Sequence, residues 1–382
     1  MGQAKDLRFR IVKTVGKLLH PFLRIVDPRR TPLPGQVELL PGRSVRWDLS
    51  KLTWVGPEPF WWTQPSFHLD AAYYVELRNA EMIGKGVVIT REGEVILEST
   101  LFRSSYLVRS HVEHLIIGRK LMRPVVLENV IPLTNYLDIS YFHWTLESMG
   151  RLAFVQEQLA DTTWKALIDE GSSGYVRGTL KFLFGLDESR IITHRCKRKI
   201  MQHCLMVSNP HSVDATAGGV EVYAPEHIQW LNRTGHARIG GVRAERHNII
   251  ITRRKQPGRH ITNEDLIIER YPALNFRFVM LEDLSLPEQV DLFAHAGIII
   301  GVHGAGFTNL VYASDAAVIE FYPTLLQEKN TAYFVQIAAC LRLPHLLLHY
   351  TGIGKAPNWN LTLTEADFAH MDHFLHATGK LS

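Results

Sequence analysis

The chain has 382 residues, 46% of them hydrophobic and 21% charged, with a formal net charge of +4 and three cysteines. That length exceeds one ordinary core, so two domains are expected, and the composition excludes a disordered or fibrous chain. The mild positive excess suits an anionic ligand or a membrane surface but is no nucleic-acid signature; three cysteines give no disulfide framework and point to reducing surroundings; and no run of about eighteen apolar residues would span a bilayer.

In residues 1–30, Leu7, Ile11, Val15, Leu18, Phe22 and Val26 recur at helical spacing among Lys5, Arg8, Arg10, Lys13, Lys17 and Arg24. The uninterrupted apolar centre of a signal peptide is missing. The segment reads as a basic amphipathic helix suited to peripheral contact with an anionic membrane. A surface helix packed on its own domain, or a partner-binding arm, fits the same pattern. Residues 28–66 are rich in proline and tryptophan and keep no helical period, so irregular or short-strand structure is expected there. Trp47, Trp54, Trp61 and Trp62 read as packing anchors, with an aromatic platform for a sugar as the less common alternative. From 72 to 133 the pattern turns to β, as in Gly86–Ile89, Glu94–Leu97 and Glu113–Gly118.

The first strong helix is expected over Asp138–Leu159, where His143, Glu147, Gly150 and Arg151 share roughly one face through i,i+4 spacing. A helix over 175–185, strands at Arg190–Thr193 and Ile200–Val207, a loop over Asn209–Gly219 containing His211 and Asp214, and a helix over 225–236 follow. From 247 the alternation becomes regular. Strands are expected at 248–252, 276–281, 298–302, 317–321 and 345–349. Helices are expected after Thr262, after Ser285, from Phe307, over 331–341 and after Thr364, with Thr262/Asp265, Ser285/Glu288 and Thr364/Asp367 as capping boxes. Strands alternating with helices across short links make a doubly wound parallel sheet.

Within that sheet, Ile298-Ile299-Ile300-Gly301-Val302-His303-Gly304-Ala305-Gly306-Phe307-Thr308-Asn309 reads as a buried strand, a glycine turn and a helix start. Backbone amides and the helix dipole favour an anion there, with Thr308 and Asn309 as added donors and His303 at the strand's carboxyl end. Arg253, Arg254 and Lys255 follow the strand at 248–252, and Arg259 and His260 follow the Pro257-Gly258 turn. Loops leaving the carboxyl ends of parallel strands share one rim, so the basic loop and the glycine turn together suit a diphosphate. Glu320 ends the next strand and suits a ribose diol by analogy with dinucleotide folds. An ordinary tight turn, a solvated basic loop and a surface carboxylate are the plain readings of the same residues. No Asp-x-Asp pair, phosphate-loop lysine or His-Glu-x-x-His site is present, so no metal is expected and the basic residues take over charge neutralisation. His194, Cys196, His203 and Cys204 cluster without a standard zinc spacing.

Tyr141-Phe142-His143-Trp144-Thr145-Leu146-Glu147-Ser148-Met149-Gly150-Arg151-Leu152 resembles the Phe-His-Trp…Glu…Arg-Leu segment of glycosyltransferase family 61. Ile251-Thr252-Arg253-Arg254-Lys255 with Asn263-Glu264-Asp265 resembles its second block. Val302–Asn309 with Val318-Ile319-Glu320-Phe321-Tyr322-Pro323 resembles its third, in the right order over about 135–325. Phe307 stands where that family usually carries Leu or Met, and Ser148-Met149-Gly150 lacks the Pro that often precedes the Arg.

The resemblance implies an α/β chain of GT-B type, with two Rossmann-like domains facing a cleft. Residues 1–30 form the basic segment, 31–240 an acceptor-side α/β domain with a β-rich start, and 241–382 the nucleotide-sugar domain. It implies an inverting transfer from a nucleotide-sugar, usually a UDP-sugar, with no further cofactor. The acceptor is a glycan or a lipid-linked acceptor of surface polysaccharide synthesis, and the chain is expected to be a bacterial, cytoplasmic member. His143 is the expected base, with Glu147 orienting it or serving itself, and Arg151 alongside, acting in catalysis or paired with Glu147. Asp138 and Asp214 are weaker candidates for the base. Arg253, Arg254, His303, Gly304, Ala305, Gly306, Thr308, Asn309 and Glu320 are expected to bind the donor. A non-catalytic nucleotide-sugar module and a dinucleotide-dependent oxidoreductase are the rival classes; the absence of Gly-x-Gly-x-x-Gly after a first strand counts against the second.

Overall fold

The computed structural model describes residues 24–100, 123–134, 140–195, 198–214, 217, 219–256, 258–324, 332–352 and 359–381. The basic N-terminal helix, the strand expected at 113–118, Asp138 and Cys196 lie outside the described residues. The chain divides into two compact units, Met1–Gly42 with Asp70–Pro210, and Arg43–Leu69 with His211–Ser382.

Strands β1 (Ile25–Val26) and β2 (Val37–Leu40) belong to the first unit, and β3 (Arg43–Arg46), β4 (Leu52–Val55) and β5 (Ser66–Leu69) to the second. The chain returns to the first unit for β6 (Ala72–Ile83), β7 (Val87–Ile89), β8 (Val95–Ile96), β9 (Val125–Pro132), β10 (Lys165–Asp169), β11 (Ile191–His194) and β12 (Lys199–Val207). These build a nine-stranded mixed sheet in the order β1-β8-β7-β6-β12-β9-β10-β11, with β2 also on β6. Strand β12 is its seam, antiparallel to β6 and parallel to β9. Tyr73, Val75, Met82, Val130, Leu167, Met201 and Cys204 fill the core on one of its faces.

The second unit continues with β13 (His211–Asp214), β14 (Val220–Tyr223), β15 (His247–Ile251), β16 (Phe276–Val279), β17 (Ala296–Val302), β18 (Ala317–Pro323) and β19 (His345–Tyr350). Its main sheet is wholly parallel, in the order β16-β15-β17-β18-β19-β4. Every residue of β17 and β18 is buried, as continuous apolar runs require when both faces are covered. Ile250, Ile300, Val302, Ile319, Phe321, Leu346 and Leu348 form one face and share a core with Phe368, Met371 and Phe374 of the Glu365–Ala377 helix. Alternation then turns Val318, Glu320 and Tyr322 of β18, and His345, Leu347 and His349 of β19, to the other face.

The parallel alternation expected after 247 is present, as are the capping boxes at Ser285/Glu288 and Thr364/Asp367. The short-strand structure expected within 28–66 is present, and residues 52–55 form an edge strand parallel to β19. Other expectations differ. Residues 211–214 are not loop but β13, antiparallel to β14, because Ser212 and Asp214 are buried polar residues that hide the alternation. Thr262 does not cap the following helix: its hydroxyl bonds Thr362 at 2.7 Å, and the helix Asp265–Arg270 starts after Glu264. The helix over 138–159 is broken into Tyr141–His143, a wide π turn Trp144–Ser148 in which Met149 N reaches back to Trp144 O, and the turns Gly150–Ala153 and Gln156–Ala160.

The tryptophan-rich segment packs as expected. Trp61 is 1% exposed and meets Trp47 and Trp54 at ring-centroid distances of 6.1 and 5.0 Å. Truncating a ring of this size leaves a cavity that cannot fully collapse. Trp61→Ala is expected to lower unfolding free energy by roughly 3–5 kcal/mol, measured by denaturant titration.

Candidate functional site

The basic loop and the glycine turn of the second unit meet at the carboxyl ends of β15 and β17. Gly304 follows β17 in an extended conformation, and a short 3-10 helix, Ala305–Tyr312, replaces the α-helix expected from Phe307. A Cβ added at Gly304 would stand 3.4 Å from Arg253 Nη1 and 3.5 Å from Arg259 Nη1, so two guanidinium tips converge on this glycine. Arg253 Nε donates to Gly258 O at 3.4 Å, and Arg259 Nη1 donates to His303 O at 2.9 Å. Neither has a carboxylate partner among the described residues. Burial, and then the charge of Arg259, push the ionisation of Arg253 down. Burial pushes the Tyr350 hydroxyl up to about 12 although Arg259 and Arg253 both pull it down.

Arg254 goes elsewhere. It is paired with Glu264 through Nε and with Asp265 Oδ1 at 2.7 Å, and its guanidinium lies 4.3 Å from the Phe278 ring centroid. Arg259 therefore stands beside Arg253 where Arg254 was expected. Arg259 was visible in the basic loop, but spacing alone does not separate it from Arg254. Its backbone is in the left-handed region at φ 56°, unusual for a residue with a Cβ, which turns its side chain back toward the glycine turn.

Of the turn residues, Ala305 is exposed and Gly306 half-buried, with a Cβ at Gly306 meeting Leu281 Cδ1 at 2.8 Å. Thr308 and Asn309 are fully buried; Asn309 Nδ2 donates to Gln289 Oε1 at 2.8 Å, and Thr308 Oγ1 has no partner. Glu320 is also buried. Its Oε1 is 2.5 Å from His303 Nδ1, and its Oε2 is 3.0 Å from His345 Nε2. Burial pushes this carboxyl up, but the His303 and His345 contacts more than offset that and hold it down at about 2. His303 packs against Tyr322 and Phe334 at centroid distances of 4.8 and 5.0 Å. Tyr322 in turn meets His349 at 5.2 Å, and His349 meets Trp54 at 4.5 Å.

In the first unit, His143 Nδ1 lies 2.5 Å from Glu147 Oε1, across the π turn, with His143 part-exposed and Glu147 buried. Trp144 is sealed beneath them, its Nε1 donating to Thr179 Oγ1 at 2.7 Å. Arg151 is buried and donates through Nε to Asn209 Oδ1 at 2.8 Å and through Nη1 to Pro132 O at 3.1 Å. Asn209 N bonds Glu98, whose carboxyl is pushed up to about 7 by burial despite the charge of Arg29. Sequence reading missed this Arg29–Glu98–Asn209 support, because its members come from three distant segments. Asp214 accepts from His68 N at 2.7 Å and from Ala217 N at 3.2 Å. Of the zinc candidates, Cys204 is buried in the sheet core and His203 bonds Arg78 at 2.8 Å. Among the described residues no group of three or more His, Cys, Asp or Glu is placed to hold a metal ion.

Burial pushes the His349 imidazole down to about 4, and neither ring nitrogen has a hydrogen-bond partner among the described residues. The unfolded chain binds this proton near pH 6.5, above the folded value, so stability is present above that pH and is lost as pH falls toward 4. His349→Phe is expected to flatten this part of a melting-temperature profile against pH.

Residues 141–319 match the family model Glycosyltransferase 61, a span holding His143, Glu147, Arg151, Arg253, Arg259 and the glycine turn and stopping just before Glu320. No curated protein is matched. The match covers less than half of the chain, and over those residues the chain is similar to glycosyltransferase family 61.

Proposed function

We propose that the chain is an inverting, metal-independent glycosyltransferase that moves a sugar from a UDP-sugar to a glycan or lipid-linked acceptor of surface polysaccharide synthesis. One observation carries the donor side: two guanidinium groups without carboxylate partners among the described residues converge on Gly304 at the carboxyl rim of a parallel sheet. Ligands of open α/β sheets bind at that rim. Two fixed cations there suit a departing diphosphate and take over the charge neutralisation that a metal would supply. His303, Ala305 and Gly306 complete the donor-binding set.

The acceptor side rests on His143 and Glu147. An ionised Glu147 accepts from Nδ1 and fixes the imidazole for proton transfer. In a single in-line displacement the acceptor oxygen attacks the anomeric carbon while His143 takes the hydroxyl proton. The bond from carbon to the phosphate oxygen breaks with its electron pair going to the diphosphate, which inverts the centre. Arg151, held by Asn209 and Pro132, keeps the helix in place beneath this pair. A donor unit and an acceptor unit of this kind make a GT-B enzyme. The basic residues of 1–30 suit attachment to an anionic inner membrane surface, where a lipid-linked acceptor is presented.

A thermal-shift screen against UDP-, GDP-, CMP- and dTDP-sugars and NAD, with EDTA present, tests the donor; a shift with NAD alone overturns the proposal. Arg253→Ala and Arg259→Ala are each expected to weaken UDP binding roughly ten- to a hundredfold by calorimetry, the scale of one lost charge-assisted contact. Arg254→Ala is expected to spare it. His143→Ala is expected to bind the donor normally and to lose transfer by roughly 10²–10⁴-fold; near-normal turnover would remove His143 from the role.

A further inference from the structure

Glu320 stands inside β18, 1% exposed, with Oε2 sealed from solvent and Oε1 engaged by His303. A sealed carboxylate of this kind offers a ribose hydroxyl no path. An ionised carboxylate only accepts hydrogen bonds, so the proton on His303 Nδ1 is fixed on the Glu320 side. His345 Nε2 stands against the second oxygen. Nε2 of His303 is the ring atom left over; it has no partner among the described residues and is not among the sealed polar atoms. His303 also carries the carbonyl that holds Arg259, one residue before Gly304.

We propose that Glu320 acts on the donor only through His303: braced by His345, it is a positioning residue that holds the imidazole by Nδ1 and so fixes where Nε2 meets the diphosphate. The inference rests on the donor reading above. The groups facing this imidazole are Glu320 and Tyr322 from β18, Phe334 from the Tyr333–Leu341 helix, and Arg259 on its own carbonyl, with His345 from β19 behind the carboxylate.

The test is calorimetry with inorganic pyrophosphate and with UDP. Glu320→Gln is expected to weaken pyrophosphate and UDP by the same factor, roughly tenfold or more. His303→Ala should match it, and the double variant should add nothing further. His345→Gln leaves the carboxylate in place and should give a smaller, still parallel loss, which keeps the test decisive if Glu320→Gln does not fold. A loss confined to UDP, with pyrophosphate unaffected, would mean direct ribose contact and overturn the proposal. Unchanged binding of both ligands by Glu320→Gln and by His345→Gln overturns it too, while leaving the donor reading intact. Failure of wild type to bind either ligand removes the donor reading itself and the inference with it.

Discussion

The second unit is organised around a repulsion. Two guanidinium groups meet over one glycine, with carbonyl oxygens as their only hydrogen-bond acceptors among the described residues. Like charges brought this close repel one another. Arg254 shows the alternative a few ångströms of chain away: paired with Glu264 and Asp265, it is neutralised and half-exposed. On the proposed donor reading, leaving Arg253 and Arg259 without carboxylate partners gives an anion a preformed site that needs no reorganisation when the charge arrives. The left-handed backbone at Arg259 is the local strain that aims the second cation.

What allows this arrangement is the parallel sheet. Strands β15 and β17 deliver Arg253 and His303 to the same rim because both end there, and their apolar interiors anchor the rim without any polar requirement. Beneath it lies the opposite problem, a carboxylate out of water. Burial alone would push Glu320 toward its neutral form; two imidazole contacts reverse that and hold it ionised. Unneutralised cations at the rim and a doubly contacted anion below it differ in access to solvent. That difference separates groups a ligand can touch from a group that can reach it only through His303.

The sequence made the order of elements legible after residue 247, because buried parallel strands and capped helices each write a local pattern. It also brought His143 and Glu147 together, since i,i+4 spacing survives the π turn. It did not distinguish Arg254 from Arg259, nor a rim carboxylate from a sealed one. Those outcomes depend on where a side chain turns after the strand ends, and thus on Glu264, Asp265, His345 and a single backbone angle. Thr308 and Asn309 read as surface donors for the same reason: a glycine turn predicts exposed neighbours, while the 3-10 helix that forms buries both.

Segment 43–69 was the least legible part, and the Glu320 site depends on it. Without a further strand, β19 would be the sheet edge. Strand β4 pairs along it from His345 to Leu348, and Lys51 O accepts from His345 N at 3.0 Å. Gly56, at φ 138°, leaves the space that His349 occupies, where a Cβ would come within 2.6 Å of the imidazole. Trp54 then covers His349 from the β4 side. Covering β19 keeps His345 dry, and a dry imidazole beside Oε2 interacts far more strongly with the carboxylate than a hydrated one. Four residues that carry no recognisable motif thus set the dielectric around a carboxylate that lies far away in sequence. That contribution appears only in the pairing of β4 with β19, which no local pattern encodes.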